Sequence, residues 1–174
     1  ASVARWLVGG KVINCKNYGS ILPTFNGADW SNDANAGGIV QIAERGAEIL
    51  GCKNYGKIEI QSDKTNFSRI GGIAASISNV TIRNCHNYGS LNAGKPAEGY
   101  HGSTGNYAGG IVGEVRTSST YKGSTQIIGC SNRGSVTAGG YVGGILAEIP
   151  NNSACNVLIE SCFNTGTLTA TNQT

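Results

Sequence analysis

The sequence predicts an all-β fold, a right-handed parallel β-helix (β-solenoid) of about five coils with three short strands in each. Two recurring signatures and a turn-dense composition carry this expectation. The first signature is Cys-x-Asn-x-Gly-x-(Ile/Leu/Val), at residues 15–21, 52–58, 85–91, 130–136 and 162–168. The second is Gly-Gly-Ile followed by an aliphatic or small residue, at 37–40, 71–74, 109–112 and 143–146. Motifs that return along a whole chain mark a protein built of stacked units, each too small to bury its apolar face alone. The 174 residues include 27 Gly but only three Pro and no Met, which suits tight turns between short strands.

Taken in order, residues 1–14 read as an incomplete first unit or an N-terminal cap. Trp6, Leu7 and Val8 are apolar, Gly9 and Gly10 form a turn, and Val12 and Ile13 lead into the first Cys. Residues 22–36 carry Pro, Asn, Asp and Gly around Phe25 and Trp30, a loop by composition. Each later unit offers three strand candidates, clearest at 110–115 after Gly-Gly, 126–130 before Cys and 135–138 after the motif glycine. All are short, rich in β-branched residues and bounded by Gly or Asn. Inserts at 94–106, 116–123 and 150–153 read as surface loops. Residues 44–50 come nearest to a helical pattern, and Gly46 interrupts it. A β-propeller is the alternative, but its repeats are longer and carry four strands. The whole of 1–174 is expected to be one solenoid domain, a fragment of a larger protein.

Like positions in successive coils stack about 4.8 Å apart, so each repeated residue becomes a column. Val12, Ile49, Ile82, Ile127 and Ile159 would form an aliphatic ladder inside. Cys15, Cys52, Cys85, Cys130 and Cys162 would fill a tighter corner as free thiols, because parallel in-register neighbours offer poor disulfide geometry. Asn17, Asn54, Asn87, Asn132 and Asn164 would form an amide ladder at a turn. The motif glycine two residues later would allow the positive φ that sharpens this turn. The cysteines are too far apart in sequence, and the histidines too few (His86 and His101), for a zinc site. No metal or cofactor is expected.

Function, if carried by this chain, would sit on outward columns. One follows each Cys: Lys16, Lys53, His86, Ser131 and Phe163; the next holds Tyr18, Tyr55, Tyr88, Arg133 and Thr165. Three tyrosines beside two lysines and a histidine could form a glycan platform, with Tyr faces stacking on sugar rings and Lys reaching a carboxylate or hydroxyl. The competing reading is a tyrosine ladder that stabilises the turn, with lysines as edge charges. Another column holds Ile42, Ser76, Glu114 and Glu148. Glu114 and Glu148 on neighbouring coils could act as a carboxylate pair in glycoside hydrolysis or hold calcium, although no Asp, Arg or Lys column accompanies them. Solvent is expected to space them apart. Asp29 and Asp33 flank Trp30 without an assignable role.

Net charge of +3 is too mild to suggest nucleic acid as a partner, and mean hydropathy of −0.14 is that of a globular chain. No apolar run reaches the ~18 residues of a membrane helix. Residues 1–6 lack the charged and apolar regions of a leader, so the chain reads as a mature fragment.

The pairing of Gly-Gly-Ile-Val-Gly at 109–113 with Ile-x-x-Cys-x-Asn-x-Gly-x-Val at 127–136 resembles the GLUG-type repeats of bacterial extracellular proteins, and the resemblance extends over residues 10–170. The first unit departs from it in lacking Gly-Gly-Ile, and the second has Gln41 where others have small residues. The resemblance implies a secreted or surface-anchored bacterial protein, often adhesin-like. The expected function is therefore a non-catalytic structural or adhesive module, with host or bacterial glycans or a surface protein as partner, and the chain monomeric. The alternatives are a polysaccharide-processing enzyme using Glu114 and Glu148, or a segment of a phage or secreted fibre.

Overall fold

The computed structural model describes residues 2–23, 33–60, 67–94, 106–116, 123–149 and 155–171, and these contain strands and no helix. All strand pairs are parallel and join equivalent positions of successive repeats, so the chain is a β-solenoid. A propeller, whose blades are antiparallel meanders, is excluded by this pairing. Each turn visits four faces rather than the three expected. The long face carries the strand after Gly-Gly (Val40–Leu50 and Ala74–Arg83 in the second and third coils). There the strand candidates before and after position 45 run together as one, with a bulge between Glu44 and Ala47. In the fourth coil they separate into Val112–Val115 and Gly123–Ile128 around an insert.

The asparagine face follows, five two-residue strands from Lys16–Asn17 to Phe163–Asn164. The third face holds Ile58–Glu59, Leu91–Asn92, Val136–Ala138 and Leu168–Ala170, with Ile21 bridged to Ile58. The fourth face, unforeseen in the sequence, precedes Gly-Gly: Asp33–Gly37, Phe67–Gly71, Tyr107–Gly109 and Val142–Gly143. The end of the supposed 22–36 loop is thus a strand. Because this face has four strands where the asparagine face has five, the solenoid makes about four complete turns. Residues 4–13 supply the first rung of the long face, paired with Val40–Leu50.

Two apolar lobes lie inside the coil. One stacks Ile39, Ile73 and Ile111 with Ile49, Ile82 and Ile127 and the cysteines; the other stacks Ile58, Leu91 and Val136 against Ala36, Ile70 and Ala108. Each fully buried Ile or Leu contributes about 1.5–3 kcal/mol relative to exposure. Between the lobes the coil is pinched, and there the asparagine column meets the second glycine of each Gly-Gly pair. A Cβ at Gly38 would stand 2.8 Å from Asn54 Cβ, and one at Gly144 2.7 Å from Asn164 Cβ. Gly-Gly is therefore required by close approach.

The motif glycine is also required by contact, which corrects the expectation of a positive φ. Gly19, Gly56, Gly89, Gly134 and Gly166 are absent from the left-handed region. A Cβ on Gly56, Gly89, Gly134 or Gly166 would instead strike the carbonyl of the motif glycine in the preceding coil. The left-handed position lies immediately before each cysteine: Asn14 (φ 55°), Gly51 (64°), Asn84 (53°), Gly129 (64°) and Ser161 (53°). Asn and Gly tolerate this conformation best, and they occupy four of the five sites.

Candidate functional site

The outer surface of the asparagine face is the most regular feature of the protein. Each Asn points inward and donates from Nδ2 to Oδ1 of the next: Asn17 to Asn54 at 2.8 Å, then Asn54 to Asn87, Asn87 to Asn132 and Asn132 to Asn164 at 2.7 Å each. The same Nδ2 atoms donate to the motif-glycine carbonyls at 2.8–2.9 Å. Strand alternation then turns the residues on either side of the Asn outward.

Tyr18, Tyr55 and Tyr88 form one stack, with centroids 4.9 Å apart and interplanar angles of 4° and 7°. Arg133 continues the column, its guanidinium 5.8 Å from the Tyr88 centroid and 5.8 Å from that of Phe163. These distances suit cation–π attraction. The stack leaves few ring faces for a ligand. Tyr55 is faced by Tyr18 and Tyr88, and Tyr88 by Tyr55 and Arg133, so among the described residues only the outer face of Tyr18 is left without a stacked neighbour. Tyr18 is 69% exposed, against 39% and 36% for the other two.

Beside the rings, Lys16, Lys53, His86 and Ser131 stand in register on consecutive coils. Among the described residues no carboxylate pairs with Lys16 or Lys53, whereas nearby Lys57 and Lys11 are bound to Glu59 and Glu48 at 2.7 and 3.0 Å. His86 Nδ1 lies 2.9 Å from Ser131 Oγ. Burial, together with the charges of Lys53 and Arg133, holds the imidazole below its usual pKa, so it is neutral at physiological pH.

The second candidate column is placed as its spacing predicts: Ser76, Glu114 and Glu148 are register partners on the long face. Its surroundings differ from expectation. The fourth face folds toward the long face at Gly-Gly and brings Arg69 onto Glu114 in a close ion pair. Glu114 is buried rather than spaced off by solvent, and an arginine does accompany the pair. Tyr107, 2% exposed, is raised in pKa by burial and by its hydrogen bond with Glu148. Arg69 and Tyr107 were not singled out in the sequence. Both stand two residues before a Gly-Gly pair, in a column with Asn35 and Tyr141, and alignment on the glycines would have placed them together.

Burial raises the Glu114 carboxyl above the usual carboxylate pKa, although Arg69 and Arg116 oppose the shift. A raised folded-state pKa means that the folded chain holds this proton more tightly than the unfolded chain. Glu114 therefore favours folding most below its unfolded pKa, and this contribution declines as pH rises through its folded value. In urea titrations across that window, the stability of wild type relative to Glu114→Gln should fall with rising pH. A pH-independent difference would contradict this account of the pair.

Cys15, Cys52, Cys85, Cys130 and Cys162 are free thiols. Cys85 donates to the Ile49 and Arg83 carbonyls at 3.4 and 3.3 Å. Hydrogen bonding with Cys130 and Cys52, and then burial, hold the Cys85 thiol well above the ordinary value, and such a thiol is a poor nucleophile. Cys52 and Cys130 shift the other way, lowered chiefly by their hydrogen bonds with Cys85, Cys52 to about 7, but both are fully buried in the first apolar lobe, so the column serves as core. Asp29 and His101 lie outside the described residues, as do most of the loops expected at 22–36 and 94–106, namely 24–32 and 95–105. Near the N-terminal end, a cavity of about 240 Å³ is lined by Ser2, Arg5, Ile21, Pro23, Asn35, Ala36 and Gln41. Comparison with known proteins finds no matching protein-family model, no matching curated protein and no matching solved structure.

Proposed function

We propose that this chain is a non-catalytic structural and adhesive module of a bacterial extracellular surface protein, as the GLUG-type resemblance implies. The observation that carries the reading is the use made of the repeated polar and aromatic side chains. Asparagine amides, tyrosine faces and motif glycines are spent on the neighbouring coil, which stiffens a rod along its axis. The carboxylate pair fits an enzyme poorly, since Glu114 is buried and held by Arg69. A general acid needs to reach its substrate.

The stacked tyrosines favour one kind of adhesive contact over another. With their faces turned to each other, the rings offer hydroxyl-bearing edges beside the Lys16 and Lys53 ammonium groups. Such a surface suits acidic glycans, bound by charge and hydrogen bonds, better than neutral sugars that need an open ring face. A glycan-array screen of the wild type and of the Tyr18→Ser, Tyr55→Ser, Tyr88→Ser triple variant tests this. Adhesion through this face predicts retention of acidic glycans that falls at least tenfold in the triple variant and weakens with salt. Retention unchanged in the variant removes the tyrosine column from the reading. If no glycan is retained at all, the module is a spacer.

A further inference from the structure

Charge is shared unevenly among the faces of the coil. The carboxylates of the described strands lie on the long, third and fourth faces, and the strands of the asparagine face hold none. The outward side of that face instead sets Lys16, Lys53 and His86 in register on three successive coils, with Arg133 on the next. At ~4.8 Å per coil this run is about 14 Å long. Like charges on directly opposed strand residues repel, and no carboxylate among the described residues relieves Lys16 or Lys53. The asparagine ladder beneath holds the four coils in line, and the tyrosine stack walls the run along one side.

His86 lies in the middle of the run. Its Nδ1 is 2.9 Å from Ser131 Oγ, and a hydroxyl can donate to the neutral ring or accept from the charged one. Protonation therefore keeps this bond and leaves Nε2–H, which has no hydrogen-bond partner among the described residues, to a ligand. The charged groups facing the ring are Lys53 and Arg133, with the Tyr88 ring 6.5 Å away. Burial first, then repulsion by these two cations, keeps the unliganded imidazole neutral.

Resting on the acidic-glycan reading above, we propose that this run seats one linear glycan chain with sulfate or carboxylate groups on successive units, laid along the solenoid axis, so that Lys16, Lys53, His86 and Arg133 each meet an anion. Single-stranded nucleic acid fits less well, because its bases stack on open aromatic faces and these rings face one another. An anion beside His86 offsets the repulsion from Lys53 and Arg133, so the ring takes up a proton as the chain binds. Linkage then makes affinity greatest below the pKa of the free ring and lowers it as pH rises through that of the bound ring.

Calorimetric titration of residues 1–174 with dextran sulfate fragments of graded length tests the proposal, since sulfate keeps its charge over the range used. A fragment that reaches from Lys16 to Arg133 should bind at least about tenfold more tightly than inorganic sulfate. It should also bind about fivefold more tightly at about pH 5.5 than at about pH 7.5. His86→Gln should lose the gain on acidification. His86→Lys, charged at both pH values, should bind at the higher pH as tightly as wild type does at the lower, and circular-dichroism melting confirms that both variants are folded. Arg133→Gln should shorten the fragment length at which affinity levels off. Affinity that ignores pH, or a pH gain kept by His86→Gln, overturns the contact at His86 and leaves the acidic-glycan reading standing. Inorganic sulfate bound as tightly as long fragments overturns the axial chain, and an oligonucleotide of equal charge held more tightly than dextran sulfate overturns the choice of glycan. Binding of no fragment at either pH removes the acidic-glycan reading and the axial chain together.

Discussion

Gly72→Ala should cost about 4 kcal/mol or more, enough to leave much of the chain unfolded at 37 °C. The new Cβ would stand 2.6 Å from Asn87 Cβ and would strike both Asn87 Cγ and the carbonyl of Gly110. Two of these three obstacles belong to a fully buried side chain held by three hydrogen bonds, and the third is backbone of the next coil. None is the free end of a flexible side chain, so relief requires the coils to separate and the ladder bonds to lengthen. Gly46→Asn is the contrasting control. Gly46 has φ 76°, and a Cβ at this position would meet nothing within 4 Å. Asn tolerates such a backbone, so the cost should stay below about 1 kcal/mol. Urea unfolding of both variants measures the difference. Near-equal stabilities would mean that the pinch between the lobes is softer than its contacts imply.

The second large effect is expected for Asn87→Ala, at about 3–5 kcal/mol. The substitution removes the acceptor of one Asn54 Nδ2 proton, the other remaining on the Gly56 carbonyl, together with the side-chain donor to the Asn132 Oδ1 and Gly89 carbonyl oxygens, all at buried residues. Each unsatisfied buried group costs about 1–3 kcal/mol, less whatever water recovers. Asn17→Ala, at the partly exposed end of the ladder, removes one inter-coil bond and should cost only about 1 kcal/mol. Because Asn87 is what a Cβ at Gly72 meets, the two changes should not be additive. The double variant should be at least about 1 kcal/mol more stable than the sum of the single losses implies. Strict additivity would show that the obstacle at Gly72 is the Gly110 carbonyl alone.

The columns of Cys, Asn and aliphatic residues were legible because the inward geometry at those places admits few side chains, and five rungs repeat the choice. The fourth face was not legible. Its inward residues include Ala34, Ala36, Ser68, Asn106 and Ala108, small or polar groups with weak β character, and it adjoins inserts that differ from coil to coil. The motif glycine was recognised but given the wrong reason, since a sequence cannot separate a glycine needed for its φ from one needed for its missing Cβ. Arg69 escaped attention because columns were followed along single strands. Its partner Glu114 lies across a fold at Gly-Gly, where two faces approach from different directions.

The left-handed residues before the cysteines have a consequence for how such a rod can be lengthened. Asn14 Oδ1 occupies the space where a side chain on Gly51 would go, and Asn84 Oδ1 does the same above Gly129. A side chain at Gly51 or Gly129 would displace only the exposed tip of that asparagine, which can rotate away, but it would still have to adopt the left-handed backbone shared by all five sites. The backbone, not the space, is therefore what each added coil must satisfy: designed extensions that carry Asn or Gly before the cysteine should be tolerated, and those that place a β-branched residue there should not.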